Sequence, residues 1–474
     1  MVYFEGCPGC AIDRRKAEST GIPYKSFFHI WMITLVSCLP ISSLYPFLYF
    51  MIRDFHIAKT VEDIGFYAGF VGASYMFGRA LTSILWGMVA DRFGRKPVIV
   101  VGIFTGLVFN TLFGLSVHYW MAIATRFLLG SFNGLLGPIR AYVVEVCRPE
   151  HQAIGLSLVS TAWAMGLIIG PAIGGYLAQP TEKYPKLFPT KTIFERFPYF
   201  LSSLCISIFY FIILLSCVWL PETLHSHKYK STEDQSNESL IQQLADSEDF
   251  DEQKNSSSTN KSILKNWPLM SSIILFCIVS FDDMAYTEIF PLWVESERRL
   301  GGLSLSSDDV GQVLAITGAT ILLYQTFVYP HIVKLLGPII TTRIMTIFSM
   351  ALLITYPFIA HLLEPWLSIV LNIASMIKAN CIVTAVTCSF ILQNNSVSQE
   401  QRATANGLAT TLMSFSKAIA PAGAGIVFSW AQKHQHVLFF QGGQMVFLLL
   451  DIVIFVELIW TFKPFLVFPE DVTS

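Results

Sequence analysis

The sequence predicts an all-α membrane protein whose twelve transmembrane helices form two pseudo-symmetric six-helix bundles. Three observations carry that prediction. Of 474 residues, 53% are hydrophobic and only 14% charged, where average soluble usage is about 25% charged. Apolar windows of spanning length, about 20 residues, recur along nearly the whole chain. One stretch of the chain also repeats itself at a constant offset. A net charge of -2 excludes a broadly basic surface built to neutralise nucleic-acid phosphates, so no nucleic-acid partner is expected.

Residues 1-26 carry Arg14, Arg15, Lys16 and Lys25 and lack a short apolar core ahead of a small-residue cleavage site, so they read as a retained cytosolic tail. Apolar windows follow near 27-52, 64-90, 97-117, 120-145, 153-179, 198-220, 267-294, 309-333, 339-361, 365-391, 403-430 and 440-462. One long polar interruption, 221-266, is rich in Ser, Asn, Asp and Glu and too poor in apolar side chains to build a core. It reads as a disordered cytosolic linker between a first bundle at 27-220 and a second at 267-462, with 463-474 as a cytosolic C-terminal tail.

Loop Lys and Arg are more numerous on the side of the termini, which places both termini in the cytosol. The loop near 180-197 runs against that trend with Lys183, Lys186, Lys191 and Arg196. Asn237, Asn255 and Asn260 stand in N-x-S motifs on the cytosolic side of this topology and are expected to carry no glycan. Apart from Cys7 and Cys10, the cysteines are scattered through or beside apolar segments, so no disulfide framework is visible.

The repeat aligns Glu150 to Gly175 with Glu400 to Gly425 without a gap, an offset of 250 residues, matching Ala153 with Ala403, Leu158 with Leu408, Thr161 with Thr411, Pro171 with Pro421 and Gly175 with Gly425. These are spans five and eleven, equivalent members of a duplicated six-helix unit. Two similar halves meeting at the midplane can rock to open a cavity to either side, so the architecture predicts a solute carrier. No G-x-x-x-x-G-K-[ST] phosphate loop occurs. Energy is expected from a gradient.

After span two the chain reads Gly87-Met88-Val89-Ala90-Asp91-Arg92-Phe93-Gly94-Arg95-Lys96. A carboxylate at a helix end, glycine turns and clustered cations suit a charge latch that breaks as the halves tilt, with Glu145 at the end of span four as partner for Arg95 or Arg92. A lipid-headgroup anchor would leave Asp91 and the two glycines unexplained. The stretch resembles the cytosolic signature of the major facilitator superfamily at every defining position. The matching place in the second half reads Lys334-Leu335-Leu336-Gly337, without the charges.

Charges inside spans are costly unless they face protein or water. Arg126-Phe127-Leu128-Leu129-Gly130 in span four resembles the superfamily's intramembrane arginine motif, a cation responsive to proton or anion binding. Span seven holds Asp282, Asp283 and Glu288 beside Tyr286. On a regular helix Asp283 and Glu288 point about 140° apart, so one can face a cavity while another pairs within its half. Desolvation favours the protonated form of a carboxyl group near neutral pH, which makes Asp283 or Glu288 the expected carrier of a coupled proton. Fixed ion pairing with Lys378 in span ten or Lys417 in span eleven is the structural alternative.

Acids on span seven facing bases on spans ten and eleven suit a zwitterionic or polycarboxylate solute, bound by Lys378 and Lys417 with Tyr286, Tyr45 and Tyr49. Span five carries Gly166, Gly170, Pro171, Gly174 and Gly175, which permit close helix approach. They resemble the antiporter motif of facilitator exchangers, except that Ser157 replaces a glycine.

Cys7-Pro8-Gly9-Cys10 in the tail and Pro221-Glu222-Thr223-Leu224-His225 after span six, with the latch sequence and residues 43-55, resemble the plant zinc-induced facilitator family over essentially every span. That resemblance implies a proton-coupled exchanger of the vacuolar or plasma membrane. Its implied cargoes are metal-chelating amino acids such as nicotianamine or phytosiderophores, or potassium or auxin-linked solutes in other members. Cys7 and Cys10 with His225 and His227 have the ligand types of a Cys2His2 zinc site of regulatory kind.

The expected partners are a small-molecule or ion substrate, protons and the bilayer, with no cofactor. A monomer suffices mechanically. A non-transporting receptor or scaffold is the other class. An enzyme is not expected, because no His-Glu-x-x-His or paired catalytic motif is present.

Overall fold

The computed structural model describes residues 7-18, 21, 23-148, 151-189, 191-224, 266-397, 402-434 and 442-466. Nine segments among these are long and apolar enough to cross a membrane. One of them, Ser307–Ile359, folds back at Gly337 and so makes two crossings. Ile64–Phe93 and Gly442–Trp460 bring the described rods to twelve. An even number of crossings puts the start of the first described span and the end of the last on one face, called here the terminal face.

Span one is Tyr24–Ser42 continued by Leu48–Asp54. The break between the two pieces differs from the unbroken window expected. It surrounds Pro46, which lacks the N–H a helix interior needs. Spans two and three are Ile64–Phe93 and Arg95–Gly114. Span four is also divided, into Tyr119–Phe132 and Leu136–Val146. Spans five and six are Gln152–Leu177 and Phe200–Ser216, and span seven is the unbroken Trp267–Glu295.

Span eight starts at a Ser306 capping box, runs Ser307–Leu323, passes through a π turn at Tyr324–Val328 and ends at Gly337. Span nine follows to Leu353, and spans ten, eleven and twelve are Trp366–Asn395, Arg402–Lys433 and Gly442–Trp460.

The first bundle packs around Ile33, Ile99, Leu135, Ile139, Ile206 and Tyr210, contributed by spans one, three, four and six. Asn110 ties span three to span six by donating to the Ser203 carbonyl at 2.8 Å and Ser207 Oγ at 3.0 Å. A tail helix, Pro8–Glu18, buries Ile12 in the same core. Gly9 N–H donates to the Leu224 carbonyl at 3.1 Å, and Arg148 Nε donates to the Lys16 carbonyl at 2.7 Å.

The bundles meet through small residues, which let backbones approach. Spans two and eleven form one broad inter-bundle contact, and spans five and eight form another. A Cβ at Gly425 would lie 2.8 Å from Gly69 Cα, and one at Gly175 would lie 2.9 Å from Gly311 Cα. The matched positions Gly175 and Gly425 therefore do the same work in each half. Gly166, Gly170 and Gly174 instead press on Cys38, Ser42 and Ser43 of span one, within the first bundle.

Lys183 bonds Asp308 and Ser307, and Lys433 pairs with Asp63, across the bundles at the face opposite the termini. Burial works to raise the Asp63 carboxyl, but hydrogen bonds from Lys433 and Thr60 outweigh it and hold the group below its ordinary value. Toward the terminal face Gly87 of span two and Gly407 of span eleven have no neighbour within 4 Å of a built Cβ. The molecule is closed at the opposite face and parts toward the terminal one.

Candidate translocation site

The closed end of the opening is formed where span seven presses on span two. Glu288 is buried there, and a Cβ at Gly72 would sit 2.6 Å from its Oε2. Neither carboxylate oxygen of Glu288 has a hydrogen-bond partner among the described residues. The nearby charge that acts on it comes from Arg126. Arg126 is buried too, with its guanidinium 5.1 Å from the Tyr75 ring centre and 5.3 Å from that of Phe113. Its Nη1 donates to the Pro40 carbonyl at 2.8 Å. That acceptor is available because span one stops at Ser42, leaving its last carbonyls without helical donors.

The other two span-seven acids are paired. Asp282 accepts from Lys378 at 2.9 Å with both side chains sealed inside the second bundle, where Lys378 also donates to Ser349 at 2.8 Å. Asp283 accepts from Lys417 at 2.8 Å, and this pair keeps 31% and 27% of its side-chain surface exposed. The expected common surface of Lys378, Lys417 and Tyr286 is therefore divided. Lys417 lies at the opening, whereas Lys378 and Tyr286 are interior, Tyr286 sharing a 2.7 Å hydrogen bond with Tyr356.

Tyr45 and Tyr49 are buried in the apolar cluster that joins the bundles toward the opposite face. Around Lys378 the second bundle also buries Asp451 and Glu457 of span twelve, and Thr346 donates to Glu457 at 2.6 Å. Those acids were not singled out from sequence, although they are intramembrane charges of the same kind as Asp282.

The latch sequence is assembled by backbone geometry. Gly94 adopts φ 108 and ψ 161, a region essentially confined to glycine. The turn sets Arg95 where Nη1 meets Asp91 at 2.5 Å, while Nη2 and Nε meet Glu145 at 3.0 and 3.2 Å. Arg92 lies over the Phe93 ring. Lys96 donates to the Val218 carbonyl at 3.1 Å, and Gly87 stands on the open side of span two.

Glu222 and Thr223 complete the arrangement. Glu222 accepts from the N–H groups of Arg95 and Lys96, each at 3.0 Å, and Thr223 Oγ1 donates to Glu145 at 2.5 Å. Sequence reading used these two only as part of a family resemblance. Their mechanical signal was a carboxylate and a hydroxyl directly after a span whose neighbour begins with two cations.

Cys7 and Cys10 are buried in the docked tail. His225 and His227 lie outside the described residues. Among the described residues no group of three or more His, Cys, Asp or Glu is placed to hold a metal.

Two six-span bundles that meet at one face, part at the other and keep charged groups at their junction define a multi-pass membrane transporter. The sequence matches the profile of the Major Facilitator Superfamily over residues 30–421. It is 53% identical to Protein ZINC INDUCED FACILITATOR-LIKE 1 and 50% identical to Protein ZINC INDUCED FACILITATOR 1, both of Arabidopsis thaliana. Each alignment covers 98% of this chain and 96% of the relative. The chain belongs to the zinc-induced facilitator family of the Major Facilitator Superfamily. Its fold is similar to that of a bacterial homologue of the human lysosomal transporter Spinster, with TM-score 0.70 and 12% identity over 95% of this chain and 99% of that one. It is a secondary transporter and not an enzyme.

Proposed function

We propose that this transporter exchanges protons for a small zwitterionic metal chelator of the nicotianamine or phytosiderophore kind, or for its metal complex. The single observation that supports proton coupling is Glu288, a buried carboxyl group at the moving junction with no hydrogen-bond partner on either oxygen among the described residues. An isolated carboxylate is costly in such a place and a carboxylic acid is much less so. Arg126 stabilises the ionised form when solvent reaches it, so opening and closing alter the balance between the two states. Asp283 with Lys417 offers the cargo a matched pair of charges at the edge of the opening.

In this reading the termini are cytosolic, the protein works as a monomer in the vacuolar or plasma membrane, and its role lies in zinc and iron homeostasis. The latch of Asp91, Arg95, Glu145 and Glu222 governs closure of the cytosolic face, and Pro171 with Gly175 supplies a sliding contact on span eight. Zinc bound through the tail thiols acts as a regulator, which is supported by the docking of Gly9 beside Leu224. Loss of zinc affinity on Cys7→Ser and Cys10→Ser replacement in the whole protein is the expected result for that part.

Counterflow and proton flux in liposomes carrying the purified chain test the main proposal against nicotianamine, free zinc, potassium and auxin. Nicotianamine-dependent proton movement is expected. Proton movement driven only by potassium or auxin would replace the cargo assigned here.

A further inference from the structure

Two arginines inside the membrane region have no counter-charge paired with them among the described residues. Arg79 of span two and Arg140 of span four make no ion pair or hydrogen bond among the described residues, and the charge of Arg79 acts on both Cys38 and Arg140. Span two presents Gly65, Gly69 and Gly72 to Phe428, Gly425 and Glu288 of the other bundle. Seven residues beyond Gly72 is two helical turns, so Arg79 lies on that same face, about 10 Å nearer the terminal face. Asp283 precedes Glu288 by five residues, and Lys417 precedes Gly425, the partner of Gly69, by eight. A rise of about 1.5 Å per residue therefore brings Arg79, Asp283 and Lys417 to similar depth on facing walls.

Arg140 belongs to the short helix Leu136–Val146, whose Ile139, Tyr142, Val143 and Val146 are buried in the first bundle's core. Gly137 and Arg140 point away from that core, and nothing lies within 4 Å of a Cβ built at Gly137. Arg140 is solvent-exposed yet surrounded by protein and close enough to Arg79 to be repelled by it. Its exposure is therefore to the interior of the opening. Two like charges that face the same opening repel each other, and an anion between them relieves that repulsion.

We propose that Arg79 and Arg140 form a carboxylate-binding subsite of the translocation pathway, so that the cargo carries at least one carboxylate when it enters from the terminal face. Planar guanidinium groups bind carboxylates through paired hydrogen bonds. Lys417 and Asp283 then receive the remaining charged groups of a zwitterion or polycarboxylate. Arg126 takes no direct part, because its head is enclosed by Tyr75, Phe113 and the Pro40 carbonyl. The inference rests on reading the opening as the cargo site, and it deepens that reading by naming the cargo's chemistry.

The test uses the purified full-length chain with citrate as probe and choline as control. Phenylglyoxal labelling of the unaltered protein, read by peptide mass spectrometry, should be slowed by citrate at both Arg79 and Arg140 and unaffected by choline. Arg79→Gln and Arg140→Gln should each weaken citrate binding by about tenfold or more, the scale of one lost charged hydrogen-bond pair, and Arg79→Lys should recover part of the loss. Absence of citrate binding, absence of protection, or unchanged affinity in both variants would overturn the subsite. Potassium-driven transport that persists with no citrate binding would remove this proposal while leaving the carrier intact. Citrate protection without any proton flux would keep the subsite and remove proton coupling.

Discussion

The turn after span two and the turn after span eight share a backbone and differ in everything attached to it. Gly94 has φ 108 and ψ 161, and Gly337 has φ 74 and ψ 163. Both lie in a conformation other residues rarely adopt, as expected of a duplicated unit whose chain must reverse at the same place. Around Gly94 stand Asp91, Arg95, Glu145 and Glu222, and a Cβ there would be 2.5 Å from Glu222 Oε2. Around Gly337 a built Cβ meets nothing within 4 Å, and Lys334 replaces the acid. Duplication has kept the bend in both halves and the charge network in one. The network is therefore separable from the bend, and each can be disturbed alone.

The largest effect should come from Gly94→Ala, which combines backbone strain of about 1–3 kcal/mol with collision against the Glu222 carboxylate. Gly337→Ala carries the strain without the collision. Transport in liposomes should fall by about tenfold or more for the first and by roughly threefold or less for the second, a difference of about 0.7 kcal/mol or more. Equal losses would show that the bend alone matters.

Glu222→Ala comes next, since it strips acceptors from the N–H groups of Arg95, Lys96, Thr223 and Leu224. Loss of such a cap is worth about 1–2 kcal/mol, and thermal unfolding of the purified protein should shift down accordingly. An unchanged melting profile would mean that water replaces the carboxylate without cost.

Asp91→Asn should have a smaller effect than Glu145→Gln. Asp91 is 72% exposed against 32% for Glu145, although both bond Arg95, and exposed pairs contribute about 0–1 kcal/mol. The reverse order in transport rate would place the functional weight on the solvent side of the latch. Lys334→Gln should be smallest, within about 0.5 kcal/mol of the parent protein in stability.

The crossings were legible in sequence because a membrane imposes a length and an apolar content on each one. Pro171, Gly175 and their matches Pro421 and Gly425 were legible as a repeat, and the structure adds why: Gly175 and Gly425 are the points where the bundles touch. The breaks in spans one and four were not legible, because an apolar window has the same hydropathy whether its helix is whole or divided. The break in span one nevertheless supplies the carbonyl that holds Arg126.

Pairing was also hidden. Adjacent positions Asp282 and Asp283 differ by one residue, about 100° of helix rotation, and that sends one to Lys378 inside a bundle and the other to Lys417 at the opening. The four loop cations near 180-197 that opposed the topology have a partial explanation in Lys183, which bridges the bundles at Asp308. Arg79 and Arg140 lie within apolar windows but were not singled out from sequence, and only the packing of span two identifies the face that Arg79 shares with Gly72.

The central claim is that movement of the bundles is coupled to a proton on Glu288, and Glu288→Gln in liposomes tests it most directly. The amide resembles the protonated acid in shape and charge but has no proton to release. Exchange of labelled cargo across a membrane without a pH difference should therefore continue, while accumulation driven by an imposed pH difference should vanish. Accumulation at the parent rate in the Gln variant would contradict the account.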